Sequence, residues 1–557
     1  MDYKMCVNKP RTETRRDYLK YTGAIGGSML IAGCIGDDGD DGDDDMGDVG
    51  DVSDDHLVYA NINEPSTIDP HRVSDELEAI MAHNIYDPLL YYTADTPAET
   101  IPWLAEDFEV SDDNQTYTFY LRDDATFHNG DDVTAEDVAY SIERLMTMNQ
   151  GFSYMFDGVL EPDAATVIDE TTVEVTLNST FAPFEFTLPF LFIANSNQIE
   201  ENMNSDGNYG EKGDYGTEWI ENNTAGSGPW VMTEWARQSH MRHDANDDWW
   251  GEFADNSFDR MTIQLVPETS TMAGLVREGE VHITDRYLPI EIFNELDELD
   301  DVNVSTETTF TPMYVFMHNQ RPPFDDINVR KAMAYAFDYD QLINGIMEGD
   351  SVQLQGPLMS VMWGHNDDLK MYEKDLDRAR ELLDESQYSD EEIDFTYTYV
   401  TGLTIRENMG LMLQSDLNQI GINVDINNEP WSRITSLHEN IDESPQMIAT
   451  NLSFNYADPD NFLYPAWHSS SHGSWQSGSW YENEEVDQLL DDARAVVDQD
   501  ERISLYQEAQ RLINEDMPAI WAMNQSTRYA VREEVDGFVD NGVTGYIPTP
   551  HRLSRSS

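Results

Sequence analysis

Few residues in this chain are spaced for covalent chemistry. His468 and His472, in the run His468-Ser469-Ser470-Ser471-His472, stand four apart, the spacing at which two imidazoles on one helical face can share a metal ion. The serines between them and Gly473 after them argue for a loop instead. His240 and His243 flank Arg242 in a polar, strand-like stretch and read as surface residues. Gly226-Ser227-Gly228 offers a serine between glycines, but Ala225 stands two before the serine, where a hydrolase nucleophile elbow carries glycine. No HExxH, no GxxxxGK[ST] and no GxSxG occurs. Acids are too abundant for any pair to stand out as general acid and base. No catalytic residue, no metal and no cofactor is expected from these patterns.

The elements that would position a binding site alternate between strand and helix. Tyr117, Phe119 and Leu121 alternate with Thr118 and Tyr120, the period of a half-buried strand. A turn at Asn129-Gly130 follows, then Thr134 with Asp137 three residues on, a capping box, and Val138, Ile142 and Leu145 on one helical stripe. Residues 261–267, 314–319, 394–400 and 422–427 read as strands; 270–278, 329–347, 376–383, 406–420 and 484–515 read as helices, the last broken around Asp498–Asp500. This mixture predicts an α/β protein, and the length exceeds one core, so two or three domains are expected.

The chain has 557 residues with 109 acidic against 31 basic, a net charge of −78. Hydrophobic residues make up 39%, enough for large cores, so the charge does not imply disorder. Lysine is scarce: after Lys212 only Lys331, Lys370 and Lys374 occur. Acid spread over the whole length, not gathered for a basic partner, is the composition of a halophilic protein. In about 1 M salt the Debye length is roughly 3 Å, which screens the self-repulsion. Nucleic acid is excluded as a partner.

The amino terminus reads as an address. Thr14-Arg15-Arg16-Asp17-Tyr18-Leu19-Lys20 fits a twin-arginine export signal, with Arg15 and Arg16 as its pair. The apolar run 22–33 is too short to span a bilayer as a mature helix and suits a signal segment. It ends in Leu30-Ile31-Ala32-Gly33-Cys34, which resembles a lipobox, making Cys34 the lipid-modified first residue after cleavage. Loss of residues 1–33 takes the charge from −78 to −81 and removes Cys6, the other of the two cysteines, so no disulfide is expected. Residues 34–55 are an acidic, glycine-rich tether that cannot bury a core. The expectation is an exported protein held on the outer face of the cell membrane by its lipid alone.

From about Leu57 to Phe538 the chain resembles the family 5 extracellular solute-binding proteins, the peptide, dipeptide and nickel receptors of ABC importers. The resemblance rests on ordered blocks: Glu64-Pro65-Ser66-Thr67-Ile68-Asp69-Pro70-His71, Ile85-Tyr86-Asp87-Pro88-Leu89-Leu90, Pro102-Trp103-Leu104-Ala105-Glu106, the segment 116–145, Gly226-Ser227-Gly228-Pro229-Trp230, Asp247-Asp248-Trp249-Trp250, residues 322–332, and Asp458-Pro459-Asp460-Asn461-Phe462. It implies a type II periplasmic-binding fold, two lobes around a cleft plus an inserted domain. Lobe I would comprise 56–87, 213–309 and 516–557, the inserted domain 88–212 and lobe II 310–515, with the hinge near Phe310 and Asp516. A ligand buried between the lobes would stabilise a closed form.

The resemblance also implies site residues. Val73, Ser74 and Asp75 would meet the ligand main chain from one side, Asn451, Ser453 and Asn455 from the other. Asn455 stands where peptide-binding members carry an aspartate that pairs with the peptide ammonium; an amide supplies no charge there. Arg286 and Tyr287, Tyr314 and Trp431 also match the cleft. Arg286 would pair with a ligand carboxylate or, equally, with one of the chain's own acids. Trp431, Trp363, Trp467 and Tyr456 offer flat faces for a sugar or a side chain, Trp431 and Tyr456 foremost. The expected function is delivery of an oligopeptide or dipeptide to ABC permease subunits by a monomeric receptor. The alternatives are a sugar, a nickel or metal-chelate receptor of the same fold, a sensor passing closure to a signalling protein, and, disfavoured, a secreted hydrolase.

Overall fold

The computed structural model describes residues 55–93, 99–539 and 550–556. The twin-arginine segment, Cys34 and the acidic tether up to residue 54 lie outside them.

The segment 88–212 builds its own antiparallel sheet in the order Ala105–Val110, Thr116–Leu121, Thr172–Thr176, Ala165–Val167. The alternation read at 116–121 holds: Tyr117, Phe119 and Leu121 are buried. The helix Ala135–Met148 packs over this sheet with Val138, Ile142 and Leu145 inward. At its start the Thr134 N–H and hydroxyl both donate to Asp137 Oδ2, at 2.9 and 2.7 Å. The other Asp137 oxygen accepts from the backbone N–H and hydroxyl of Ser196, so the cap also fixes the next connection.

Arg144 on the same helix reaches out of this segment. Its guanidinium makes a bidentate pair with Asp69 at 2.6 and 2.7 Å, both side chains fully buried. It also donates to His71 Nδ1 at 2.9 Å, while His71 Nε2 lies 3.0 Å from the Phe192 carbonyl. Burial and the neighbouring Arg144 push the His71 imidazole down to about 3. The ring is therefore neutral, with its proton on Nε2. This is how the Asp69-Pro70-His71 turn is locked to the inserted segment.

A four-stranded sheet, His56–Asn61, Arg260–Leu265, His240–Ala245, Trp230–Ala236, forms lobe I; its first pair is parallel. His243, read from sequence as a surface residue, is fully buried. Strand alternation turns Met241 and His243 inward and leaves His240 and Arg242 partly exposed, a parity that polarity alone does not reveal.

Lobe II is a six-stranded sheet in the order Ser351–Val352, Ala519–Arg532, Val302–Met317, Met447–Asn451, Asp394–Val400, Asn423–Glu429. Its last three strands are mutually parallel. The two long strands join the lobes. Residues 302–308 pair with 526–532, the register breaks between Thr308 and Pro312, and pairing resumes with 312–316 against 519–524. The first half reaches lobe I through Ile283, which bridges Val531 and Tyr59. The crossing thus falls at Phe310 opposite Gln525, not at Asp516: Ala519–Asn524 are still strands of lobe II.

Two helical readings also shift. The stretch expected as one helix over 329–347 is a helix Ile327–Ala336, an extended Phe337, and a separate π turn Gln341–Ile346. The long C-terminal stretch is two helices, Glu484–Ala495 and Gln499–Asp516, the second capped by Asp498 accepting from the Glu501 N–H. Among the described residues no helix is long and apolar enough to cross a membrane.

Candidate functional site

In sheets with parallel strands, ligands settle outside the carboxyl ends, because the following helices present their amino termini there. In lobe II the strand Asp394–Val400 leads into the helix Thr404–Asn418, Asn423–Glu429 leads into Trp431–His438, and Met447–Asn451 leads into Leu452–Tyr456. This edge gathers Arg406, Trp431, Asn451, Ser453 and Asn455 from three separate loops.

Asn451 is already fully engaged. Its side-chain oxygen accepts from Arg406 Nη2 at 2.6 Å; its amide donates to the Thr311 carbonyl at 3.3 Å and to Gln525 Oε1 at 3.1 Å. Thr311 and Gln525 belong to the two crossing strands at the register break. One side chain at the edge of the site therefore holds both strands of the lobe connection.

Ser453 is exposed, and its carbonyl accepts from Asn461 Nδ2 at 3.1 Å. Asn455 donates to Asn461 Oδ1 at 2.9 Å and accepts from the Tyr154 hydroxyl at 2.7 Å. Tyr154, Asn455 and Asn461 line a cavity of about 360 Å³ between the segment 88–212 and lobe II, together with Tyr456, Phe181 and Arg494. Tyr456 is largely buried and donates to Asp460 Oδ2 at 2.7 Å. Arg494 pairs with Asp460 at 2.6 and 2.9 Å and stacks over Tyr464. The neighbouring acid, Asp458, is fully buried in a 2.8 Å pair with Arg502. Asp458 and Asp460 are thus neutralised by arginines, whereas Asp157, which also lines the cavity, is exposed.

On the lobe I side, Val73 is fully buried, and its carbonyl is covered by Gly151 at φ +56, where an added Cβ would lie 2.6 Å away. Ser74 and Asp75 are exposed. Asp75 caps the helix Glu76–Ile85, accepting from the Glu78 N–H, and Glu78 in return accepts from Ser74 and Asp75. Arg286 meets Glu76 at 2.6 Å and Tyr287 donates to the same carboxylate at 2.8 Å. Of its two sequence readings, Arg286 is found in the internal ion pair. Burial pushes the Glu76 carboxyl up to about 7, with Arg286 pulling it down.

Tyr314 is not a cleft residue. It is fully buried, its ring edge-on to Trp467 and Trp521, its hydroxyl donating to the Pro357 carbonyl at 2.7 Å. Both faces of its strand are covered, so alternation could not separate cleft from core. Trp467 is core as well, and Trp363 is bound by its indole N–H to the Ala457 carbonyl at 2.9 Å. Trp431 is 41% exposed and stands edge-on to Trp475, centroids 5.1 Å apart.

His468 stacks on Tyr464 and its Nδ1 meets Ser470, whereas His472 Nε2 lies 2.7 Å from the Tyr481 carbonyl; the two do not converge. Among the described residues no group of three or more His, Cys, Asp or Glu is placed to hold a metal ion. Ser227 is buried and donates to Asp87 at 3.0 Å, a structural bond. Sequence reading passed over Arg406 except as a helix start. The available signal was an arginine in the first turn after a parallel strand, in a chain poor in bases.

Comparison with known proteins agrees with this architecture. The chain is 30% identical over 507 residues, 90% of its length and 94% of the relative's, to the "Probable D,D-dipeptide-binding periplasmic protein DdpA" of Escherichia coli strain K12. It is 25% identical over 87% of its length, and 92% of the relative's, to the dipeptide-binding protein of the same organism. Among solved structures, HbpA2 from Haemophilus parasuis superposes with a TM-score of 0.80 at 21% identity, covering 90% of this chain and 100% of that one. The periplasmic binding protein DppA from Helicobacter pylori, in complex with the peptide STSA, superposes with a TM-score of 0.70 at 26% identity, covering 90% of this chain and 98% of that one. Residues 99–474 match the middle region of the bacterial extracellular solute-binding proteins of family 5, and the chain belongs to that family.

Proposed function

We propose that this solute-binding protein captures a short peptide, a dipeptide or oligopeptide, outside the cell and delivers it to the permease of an ABC importer by closing its lobes. The observation that carries the reading is the placement of Asn451. It lies at the carboxyl edge of the lobe II strands and binds both strands of the lobe connection, so occupancy of the edge is coupled to the geometry of the crossing. The peptide class is supported by the dipeptide-binding names of the E. coli relatives and by the peptide bound to the H. pylori protein. Domain limits follow the lobes described above, with 88–212 as the inserted domain. The protein acts by binding and not by catalysis, as a monomer.

A sugar is the second reading, favoured by the exposed Trp431–Trp475 pair, since aromatic faces stack on sugar rings. Mass spectrometry of the ligand that co-purifies in molar KCl, followed by calorimetric titration with di- to pentapeptides and with oligosaccharides, separates the two. An oligosaccharide in the purified protein, with no heat from any peptide, removes the peptide reading.

Export by the twin-arginine signal and anchoring through Cys34 belong to the same proposal and rest on the sequence. Cys34→Ser should leave export intact and release the protein from the membrane. A variant that stays membrane-bound after a high-salt wash rejects the anchor.

A further inference from the structure

Six Asn-x-Ser/Thr triplets occur in the chain, at Asn114, Asn178, Asn222, Asn303, Asn451 and Asn524. In an exported protein such a triplet can accept a glycan on its asparagine. The fold sorts the six. Asn524 is buried and donates to the Thr309 carbonyl at 2.6 Å, and Asn451 spends its amide on Thr311 and Gln525. Asn303 lies in the paired part of the strand Val302–Met317, opposite Val531. Asn178 donates to Glu161 at 3.1 Å, and the hydroxyl of its Thr180 donates to the Asp113 carbonyl at 3.1 Å. Asn114 stands in a tight turn at φ +55, and the hydroxyl of its Thr116 lies 3.5 Å from that of Thr176 on the neighbouring strand.

Asn222 is held differently. It is exposed, in the bend that ends the one-turn helix Thr217–Ile220. Asn223, the middle residue of the triplet, donates back to the Trp219 carbonyl at 2.8 Å. Arg237, stacked over the Trp235 ring, donates to the Glu221 carbonyl at 3.0 Å and ties the turn to the neighbouring strand. The turn is thus fixed from its flanks. Among the described residues neither the Asn222 carboxamide nor the Thr224 hydroxyl has a hydrogen-bond partner.

The surface beside it suits a sugar. Asn222, Asn223 and Thr224 form one side of a cavity of about 360 Å³, and the edge strand Trp230–Ala236 forms another. Trp219 and Trp235 line it, aromatic faces of the kind that pack on sugar rings. Asn129 and Gln198 add carboxamides, and His128 adds an imidazole. His128 Nε2 lies 3.0 Å from the Gly228 carbonyl, which places the proton there, and burial keeps the ring neutral. Its buried Nδ1 has no hydrogen-bond partner and is an acceptor for a hydroxyl. Among the described lining residues Glu234 is the only acid, and Arg242 pairs with it at 2.8 Å. In a chain with 109 acids this wall carries almost no net charge.

We propose that Asn222 is an N-glycosylation site and that the sugar attached to it is uncharged, in keeping with the groove. The co-reactant is a lipid-phosphate-linked oligosaccharide, transferred by an enzyme at the outer face of the cell membrane. Asn222 Nδ2 forms a bond to the anomeric carbon of the donor. The bond from that carbon to the phosphate oxygen breaks, the lipid phosphate leaves with the electron pair, and the amide loses one proton to solvent. Nothing is oxidised or reduced. The proposal rests on export of the protein, since donor and enzyme stand outside the cell.

The test is mass spectrometry of tryptic peptides from the full-length protein, isolated by cell fractionation from the cells that produce it. Trypsin cuts after Lys212 and Arg237, so peptide 213–237 reports on Asn222 alone. It should carry a glycan whose first sugar is uncharged. Asn222→Gln and Thr224→Ala should lose the glycan completely, and Thr224→Ser should keep it. An exported protein whose peptide 213–237 has the unmodified mass overturns the proposal. So does a charged first sugar, or a glycan that persists in Thr224→Ala. Should the variants fail to fold, judged by circular dichroism, the peptide from the unaltered protein decides. Protein recovered only from the cytoplasm removes the export reading, and this proposal with it.

Discussion

The Tyr154 hydroxyl and the Asn455 side-chain oxygen meet at 2.7 Å across 301 residues of sequence, joining the inserted segment to lobe II. The Asn455 amide nitrogen points the other way, to Asn461 Oδ1 at 2.9 Å, and Asn461 in turn donates to the Ser453 carbonyl at 3.1 Å. This relay fixes which end of the amide faces the cavity. Asn455 is thus held as a neutral acceptor toward the inserted segment.

Asn455→Asp should tighten peptides with a free amino terminus by about 1.5–3 kcal/mol, the value of a hydrogen bond to a charged group. Binding of acetylated peptides should not change. The variant keeps the acceptor for Tyr154 but loses the donor to Asn461, which should cost about 1 kcal/mol of stability. Calorimetry in molar salt checks both. Strong preference of the unaltered protein for the free amino terminus would mean that another carboxylate serves it. Asp75, exposed at its helix cap, is then the candidate, since Asp458 is bound to Arg502.

Legibility in the sequence followed burial geometry. Asp394–Val400 is found as read because its alternation is regular and its neighbours are parallel strands. The capping box at Thr134 is legible because both partners lie within four residues. Tyr314, expected in the cleft from the family resemblance, and His243, expected at the surface from its polar stretch, are both buried, because only the tertiary structure says what covers a strand face. Arg406 was invisible because its place beside Asn451 arises only when the fold brings two separate loops together. Arg286 illustrates the converse, a cation in a site-like stretch that the fold spends on Glu76.

Four buried histidines, His71, His83, His243 and His551, are held down to about 3 chiefly by burial. A depressed folded pKa means that the stability they contribute is fully present above about 6.5, the unfolded value, and is lost as pH falls toward 3. At pH 5.5 each costs about 1.4 kcal/mol, so roughly 5–6 kcal/mol together at most. Asp87 and Glu76, raised by burial to about 6 and about 7, oppose this, gaining stability as pH falls through those values, by about 2–3 kcal/mol in all. The histidines win, so the melting temperature should fall between pH 7.5 and 5.5. His83 is the cleanest probe: its ring nitrogens have no hydrogen-bond partner among the described residues, and Tyr91, Phe190 and Phe192 surround it edge-on. His83→Phe should reduce the net loss of about 3 kcal/mol by about half; a pH profile unchanged by that variant rejects the account.

The net charge of −78 makes a separate demand on salt. The buried pairs, such as Arg144–Asp69, are sheltered from ions, whereas the exposed acids repel one another through solvent. Raising KCl from about 0.1 to 2 M shortens the Debye length from roughly 10 Å to below 3 Å and should raise the melting temperature by more than about 10 °C. Scanning calorimetry across that range measures it. A melting temperature indifferent to KCl would dispose of the halophilic reading.

Trp431 separates binding from folding more sharply than any buried aromatic. It opens the helix Trp431–His438 directly after Pro430, at the carboxyl edge, and its ring stands edge-on to Trp475. With 41% of its surface exposed, its loss leaves no closed cavity, so Trp431→Ala should cost less than about 1 kcal/mol of stability. If the ring stacks on the ligand, affinity should fall by about 1–2 kcal/mol for a peptide that is also held at its termini. A sugar, with ring faces and no charged end, would depend on the indole more heavily, and its binding should become undetectable. The paired measurement is melting temperature and titration on the same variant. A large loss of stability would place Trp431 in the packing of lobe II. Unchanged affinity with unchanged stability would place the ligand elsewhere along the edge, toward Asn451 and Arg406.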